Sequence, residues 1–220
     1  MKHLLNLLVA RAALATNFGF RVVSFIIYSY ENGFKITSSE PSKVIKLGLN
    51  YIPKNSFVLD LGSGGGRNSV FMAQLGNSVD SVDIVNLKFI DKLPNNLNKL
   101  IRFHHESVDN FIIEKDKYNM IILARLIQYL GDDSLTSLIK RCSNGLKKGG
   151  VLLLSYSYLG GIKERFDVEF YRHEIEKVKQ IIEKEGLKTV YLQEGSKVST
   201  SVPYSANIKS YDIIAQKQAG

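Results

Sequence analysis

Two aspartates and a run of glycines carry the clearest chemistry in the chain. Val58-Leu59-Asp60-Leu61-Gly62-Ser63-Gly64-Gly65-Gly66 reads as an apolar strand that holds a carboxylate and runs into glycines opening a helix. A second carboxylate, Asp83, closes the next apolar run, 83 − 62 = 21 positions after the first glycine. In open α/β sheets such a carboxylate meets a ribose diol, while the glycines bring backbone against the ligand. A dinucleotide fingerprint, however, needs a third glycine where this chain has Arg67, and it places a pyrophosphate close to where this chain has Asp60. A carboxylate repels a pyrophosphate and receives an ammonium. The pattern therefore points to a cationic, phosphate-free nucleoside, and S-adenosylmethionine (SAM), with its ammonium and sulfonium, has that character. Taken alone, Asp83 could instead cap a following helix.

The elements that must position these residues follow from the hydrophobic pattern. Ser38-Ser39-Glu40-Pro41 predicts a helix start, with the helix running to about Leu49. Strands are expected at Phe57 to Leu61, Val79 to Asp83, Ile101 to His105, Tyr118 to Leu123 and Val151 to Tyr156. Helices are expected from Gly66 to Leu75, burying Val70, Phe71 and Leu75, from Gly131 to Leu146, and from Arg172 to Glu185. Asn95, Asn96 and Asn98 mark a loop. Two more strands, Lys188 to Gln193 and Lys209 to Ala215, leave no room for a helix between them. The expected fold is α/β, a Rossmann-like doubly wound sheet of seven mostly parallel strands with an antiparallel end strand, plus N-terminal lid helices. Residues 1–38 form the lid segment and residues 39–220 the SAM-binding domain.

The run VLDLGSGGGRNSVFMAQLGNSVDSVDI resembles the cofactor-binding half of class I SAM-dependent methyltransferases. Its Gly-Arg-Asn is most similar to the small-molecule branch that includes the tellurite-resistance methyltransferases. SEPSKVIKL and GLKKGGVLLLSY resemble that family's leading helix and its turn into the fifth strand. The resemblance implies that Asp60 faces the methionyl ammonium and that Gly62, Ser63 and Gly64 bring backbone against the methionyl and ribose parts. It further implies that Asp83 accepts the ribose hydroxyls and that Ile84 packs on adenine. Ser107 and Val108 would lie at the adenine edge, where the family often has Asp in place of Ser107. Ala124 would offer backbone near the methionyl end. Arg67 would reach the methionyl carboxylate; an outward-facing helix arginine is the alternative.

In-line methyl transfer needs alignment more than a dedicated catalytic group. The catalytic candidates are Arg125, orienting an anionic or electron-rich acceptor, and Tyr129, orienting or deprotonating a hydroxyl. A surface arginine and a packing tyrosine are the respective alternatives. Gln128 stands between them, after the fourth strand. His104 and His105 point to opposite sheet faces, so at most one can face the cleft. Tyr28, Tyr30 and Phe34 suit an aromatic lid, with core packing as the alternative, and the loop Gly195 to Ile208 suits a cover over the substrate.

Composition bounds the partners. Apolar content of 45% and charged content of 23% describe a globular chain with a substantial core. The net charge of +8 is scattered, with no basic run interleaved with aromatics, which disfavours a nucleic-acid role. Cys142 sits among Leu138, Ile139 and Leu146 as a buried thiol, and neither it nor the four histidines show metal-ligand spacing. From Leu4 to Tyr30 the chain is mostly apolar but interrupted by Asn6, Arg11, Asn17, Gly19 and Arg21, too often for a membrane span. A lid, a dimer surface or a membrane-surface segment remain for it. The expected protein is a cytoplasmic SAM-dependent methyltransferase acting on a small molecule. The alternatives are an RNA or protein methyltransferase and a non-catalytic SAM-binding protein.

Overall fold

The computed structural model describes residues 41–85, 91, 93–159, 171–199 and 206–218. Seven strands are present: β1 (Phe57–Leu61), β2 (Ser78–Asp83), β3 (Ile101–His105), β4 (Tyr118–Ala124), β5 (Leu146–Leu159), β6 (Leu187–Ser199) and β7 (Ala206–Lys217). They pair in the order β3-β2-β1-β4-β5-β7-β6. The first five run parallel; β7 enters antiparallel between β5 and β6. This is the seven-stranded, mostly parallel sheet expected, with the chain's last strand antiparallel and β6 forming that edge.

The strands are apolar runs because both faces are covered. On one face α1 (Lys43–Gly48) and α2 (Arg67–Gln74) lie over Val58, Met120, Ile122, Val151, Leu153 and Ile214. Gly48 lets α1 sit close, since a Cβ there would stand 2.7 Å from Leu153 Cδ1. Asn95–Asn98, expected as loop, forms a single helical turn, α3. On the other face α4 (Asp132–Gly145) and α5 (Ile175–Lys184) cover Leu59, Leu61, Ile121, Leu152, Leu154 and Ile213. Cys142 is buried in that layer, and burial pushes its thiol up to about 12.

Several expected boundaries move, each for a local reason. The first helix begins at Lys43 with Ser42 as its N-cap residue, and the Ser42 hydroxyl accepts from Arg67 instead of capping. α2 buries Asn68, Ser69, Met72 and Ala73, whereas Val70 and Phe71 are half-buried and Leu75 is exposed. The polar side turns inward because β1 and β2 present Asp60 and Ser81 to it, and Ser69 bonds both. α5 starts at Ile175, since buried His173 donates through Nε2 to the carbonyls of Ile127 and Leu130, which holds the chain before it non-helical. The expected covering loop Gly195 to Ile208 is largely ladder: β6 and β7 pair out to Ser199 and Ala206. Backbone pairing needs no apolar side chains, so its serines did not prevent it. Residues 200–205, and with them the tip, lie outside the described residues, as do Tyr28, Tyr30, Phe34 and the whole lid segment.

Candidate active site

The carboxyl ends of β1, β2 and β4 form a rim, and the expected site residues collect there. Asp60 is 1% exposed. Its Oδ2 accepts from Ser69 Oγ at 2.6 Å, while its Oδ1 is buried with no hydrogen-bond partner among the described residues. Burial pushes the Asp60 carboxyl up to about 6; the Ser69 hydrogen bond opposes this and the nearby Asp83 charge adds to it. One residue into the glycine turn, Ser63 Oγ is likewise buried and has no partner among the described residues. Two orphaned polar atoms at one rim are costly unless something satisfies them.

The turn itself is held by backbone. Gly62 and Ser63 both donate to the Val82 carbonyl, at 2.9 and 3.1 Å. Gly62 and Gly64 have φ of +71° and +54°, a region that side chains strain to adopt. A Cβ on Gly62 would stand 3.0 Å from Leu126 Cδ1, whereas one on Gly64 would enter open space. Asp83 accepts from the Gly64 amide at 2.7 Å and from the Val85 amide at 2.8 Å. Burial raises its carboxyl, and those two amides oppose the shift. Asp83 thus ties the glycine turn to the end of the second strand.

Arg67, at the first position of α2, is not outward-facing. It is half-buried, donates to Ser42 Oγ at 2.9 Å, and lies within charge range of Asp60 and Arg125. Ile84 is half-buried, and its carbonyl lies 3.1 Å from His105 Nε2. Ser107 Oγ accepts from the Asp109 amide at 3.2 Å, and Val108 is buried in the core beneath that turn. His104 is engaged elsewhere, 3.0 Å from Asp80 on the far face of the sheet.

Beyond β4 the chain turns sharply. Ala124 is buried, and Arg125 follows at φ +63°, its amide donating to the Ser155 carbonyl and its guanidinium to Ser157 Oγ. Gln128 is buried and accepts from the Ser157 amide at 3.4 Å. Tyr129 is half-buried; burial raises its phenol, with Gln128 and Arg125 opposing. Arg125, Gln128 and Tyr129 therefore share one corner, as the sequence suggested. Ser69, Ser81, Ser157 and Asp212 belong to the same rim and were missed. The one available signal was the strand register, which sets Asp60 beside Ser81 and Ser155 beside Asp212.

A sheet of this order, with a glycine turn after β1 and an acidic end to β2, defines the class I SAM-dependent methyltransferase fold. A family model described as AdoMet dependent proline di-methyltransferase matches residues 42–205, and the chain belongs to that family. The chain is 27% identical over 146 residues to N-terminal Xaa-Pro-Lys N-methyltransferase 1-B of Xenopus laevis, covering 63% of this chain and 65% of that protein. It is 31% identical over 124 residues to a ubiquinone biosynthesis O-methyltransferase of Pelagibacter ubique, covering 56% and 46%. The chain thus spans just under two thirds of the N-terminal methyltransferase it matches. In structure it resembles the Burkholderia thailandensis 1,6-didemethyltoxoflavin-N1-methyltransferase, solved with S-adenosylhomocysteine, with a TM-score of 0.71 at 15% identity over 90% of this chain and 88% of that one. That likeness concerns the fold.

Proposed function

We propose that this protein transfers the methyl group of SAM to a small acceptor carrying an anion. The observation that carries methyl transfer is the pair of buried atoms without a partner among the described residues, Asp60 Oδ1 and Ser63 Oγ, beside a glycine turn with open space over Gly64. A carboxylate there receives an ammonium and would repel a pyrophosphate. In this reading Asp60 takes the methionyl ammonium, Arg67 the methionyl carboxylate, and Gly62, Ser63, Gly64 and Ala124 supply backbone. Asp83 takes the ribose hydroxyls, Ile84 the adenine face, and Ser107 and Val108 its edge. When bound, SAM supplies a methyl carbon made electrophilic by its sulfonium.

The chain's own part is alignment and water exclusion. Arg125, exposed but tethered to Ser157, orients an acceptor through its anion. Tyr129, its phenol raised by burial, stays protonated at neutral pH and so donates a hydrogen bond in place of acting as a base. Residues 1–38 would close over the rim as a lid; a dimer surface and contact with a membrane surface are the other roles their apolar character suits. The Gly66-Arg67-Asn68 run supports the small-molecule branch. A second reading, methylation of a protein N-terminus, is favoured by the family description and the Xenopus relative.

Calorimetry with SAM, S-adenosylhomocysteine and NAD tests the cofactor: the first two bind and NAD does not, and the reverse ends the proposal. For the acceptor, Arg125→Ala should raise KM for an anionic acceptor about 10- to 100-fold, the size of a lost charged hydrogen bond. S-adenosylhomocysteine affinity should not change. A preferred Xaa-Pro-Lys peptide, with Arg125→Ala neutral, would select the second reading.

A further inference from the structure

On the sheet face that α1 covers, three neighbouring strands change character at one level. β5 passes from Val151 and Leu153, both fully buried, to Ser155 and Ser157, which are still only 8% and 6% exposed. β7, read towards its start, passes from buried Ile214 to half-buried Asp212 and Ser210. β6 passes from Tyr191, packed on the core, to Gln193. Pairing puts these changes in one row: Ala124 beside Ser155, Ser155 beside Asp212, Asp212 beside Gln193. A solvated sheet face would be exposed as well as polar; here Ser155 and Ser157 are enclosed and Asp212 is half-buried, and the row reaches solvent at Gln193 on the edge strand. The row begins at Ala124, whose backbone is assigned to the donor's methionyl end, and runs away from the glycine turn.

The charges on this floor are of opposite sign. Arg125 is tethered to Ser157 at one end. The Asp212 carboxylate makes no hydrogen bond or ion pair among the described residues, although Lys43 Nζ donates to its neighbour Gln193 at 2.9 Å. Strand spacing and rise put the Cα atoms of Asp212 and Ser157 about 8 Å apart, diagonally across β5 and β7. Side chains on one sheet face stand side by side, so the Asp212 carboxylate and the guanidinium held at Ser157 keep roughly that separation, which an amino acid with a hydrogen bond at each end spans.

We infer that the acceptor is a small amino-carboxylate, methylated on nitrogen, whose carboxylate sits on Arg125 and whose amine sits on Asp212. This rests on the methyl-transfer reading and names its substrate class. The amine must be neutral to react, so its proton passes to the Asp212 carboxylate and on to water. The nitrogen lone pair then forms the N–C bond while the S–C bond of the donor breaks, its electron pair staying on sulfur as an uncharged thioether. Asp212 is thus a specificity residue and proton acceptor, and Arg125 fixes the other end. A Xaa-Pro-Lys terminus shares the amine but lacks the nearby carboxylate and would bring its lysine toward Arg125.

The test uses the full chain with methyl-labelled SAM. Probes are glycine, β-alanine, proline and 2-aminobenzoate, the carboxamide of each, the acid of each without its amine, and a Xaa-Pro-Lys peptide. The expected result is turnover of at least one amino-carboxylate, with kcat/KM at least tenfold lower for its amide and no methylation of the amine-free acid. Asp212→Asn should lower kcat/KM at least tenfold, and Arg125→Gln should act mainly on KM. Both should bind S-adenosylhomocysteine within twofold of the parent, which also reports folding; Asp212→Ser replaces any variant that fails this check. S-adenosylhomocysteine binding without turnover of any amino-carboxylate, or an Asp212→Asn variant as active as the parent, overturns the inference and leaves the methyl-transfer reading standing. Absence of SAM binding removes that reading itself.

Discussion

Asp60 shows what a single residue gives up for a ligand. A carboxylate 1% exposed with one oxygen unpartnered is unfavourable when ionised, which is why its pKa rises to about 6. The sign of the linkage follows. Below about pH 4 the group is protonated in folded and unfolded chains alike and contributes no difference. Between about 4 and 6 the folded chain holds the proton more tightly, so stability falls as pH rises; above 6 the deficit is constant, roughly 2 to 3 kcal/mol. Asp60→Asn should therefore stabilise the ligand-free protein above pH 6 by about 1 to 2 kcal/mol, since an amide is not charged and can still bond Ser69. The same variant should weaken SAM binding at least 100-fold. Denaturant midpoints at pH 4 and pH 8 check the first statement and calorimetry the second. An ammonium beside Asp60 also favours its ionised form, so binding near pH 6 should release up to one proton, and affinity should drop about tenfold per unit below that. Binding heats measured in buffers of different ionisation enthalpy read that proton directly; an affinity flat from pH 5 to 8 would remove Asp60 from the ammonium site.

At the scale of elements, the glycine turn separates two reasons for having no side chain. Gly62 combines positive φ with a close neighbour, Leu126, and Gly64 has positive φ with nothing near. Gly64→Ala should cost only the backbone strain, about 1 to 2 kcal/mol, yet weaken S-adenosylhomocysteine binding by more than that strain explains. Gly62→Ala should cost more stability because the Leu126 side chain must also shift. Thermal midpoints and calorimetry on the pair separate the effects, and equal losses in both would mean that Gly64 faces no ligand. The same contrast governs what was legible in the chain beforehand. β1 and β3 have the predicted ends, Phe57 to Leu61 and Ile101 to His105, and β1 is an apolar run bounded by Asn55-Ser56 and Gly62. Asp60, the glycines and Asp83 were legible because their spacing along the chain is their geometry. The inward face of α2 was not, since an apolar count favours Val70, Phe71 and Leu75, and only the polar strand surface beneath explains Ser69 facing in. The start of α5 depends on His173 reaching carbonyls more than forty residues away, and the Ser155–Asp212 row on a pairing between distant strands. Neither leaves a local trace.

At the scale of the whole molecule, two buried aspartates on one sheet pull its acid stability in opposite directions. Asp80, on the face away from α2, accepts from Lys117 at 2.8 Å and Tyr118 at 2.9 Å and pairs with His104 at 3.0 Å. Burial would raise its carboxyl, but these three partners outweigh it and hold the pKa below the usual range. Its contribution is accordingly present above its unfolded pKa, near 4, and lost as pH falls through the folded value. Asp60 does the reverse between about 4 and 6, so the ligand-free protein should be most stable on the mildly acidic side of neutrality, and SAM should move that optimum upward by favouring ionised Asp60. The Asp80 cluster borders an open pocket of about 330 Å³ along β3, formed in part by Arg102, Glu106 and Phe111, and the Asp80 carboxylate itself bonds none of the rim residues. Asp80→Ala should then cost roughly 2 to 4 kcal/mol, the range for leaving partly buried charged partners unpaired, and flatten the loss of stability below pH 4. S-adenosylhomocysteine affinity should stay within twofold at a temperature where the variant is folded. A large change in that affinity would mean that the two faces of the sheet are coupled, and that the rim is not held by the glycine turn and its own hydrogen bonds alone.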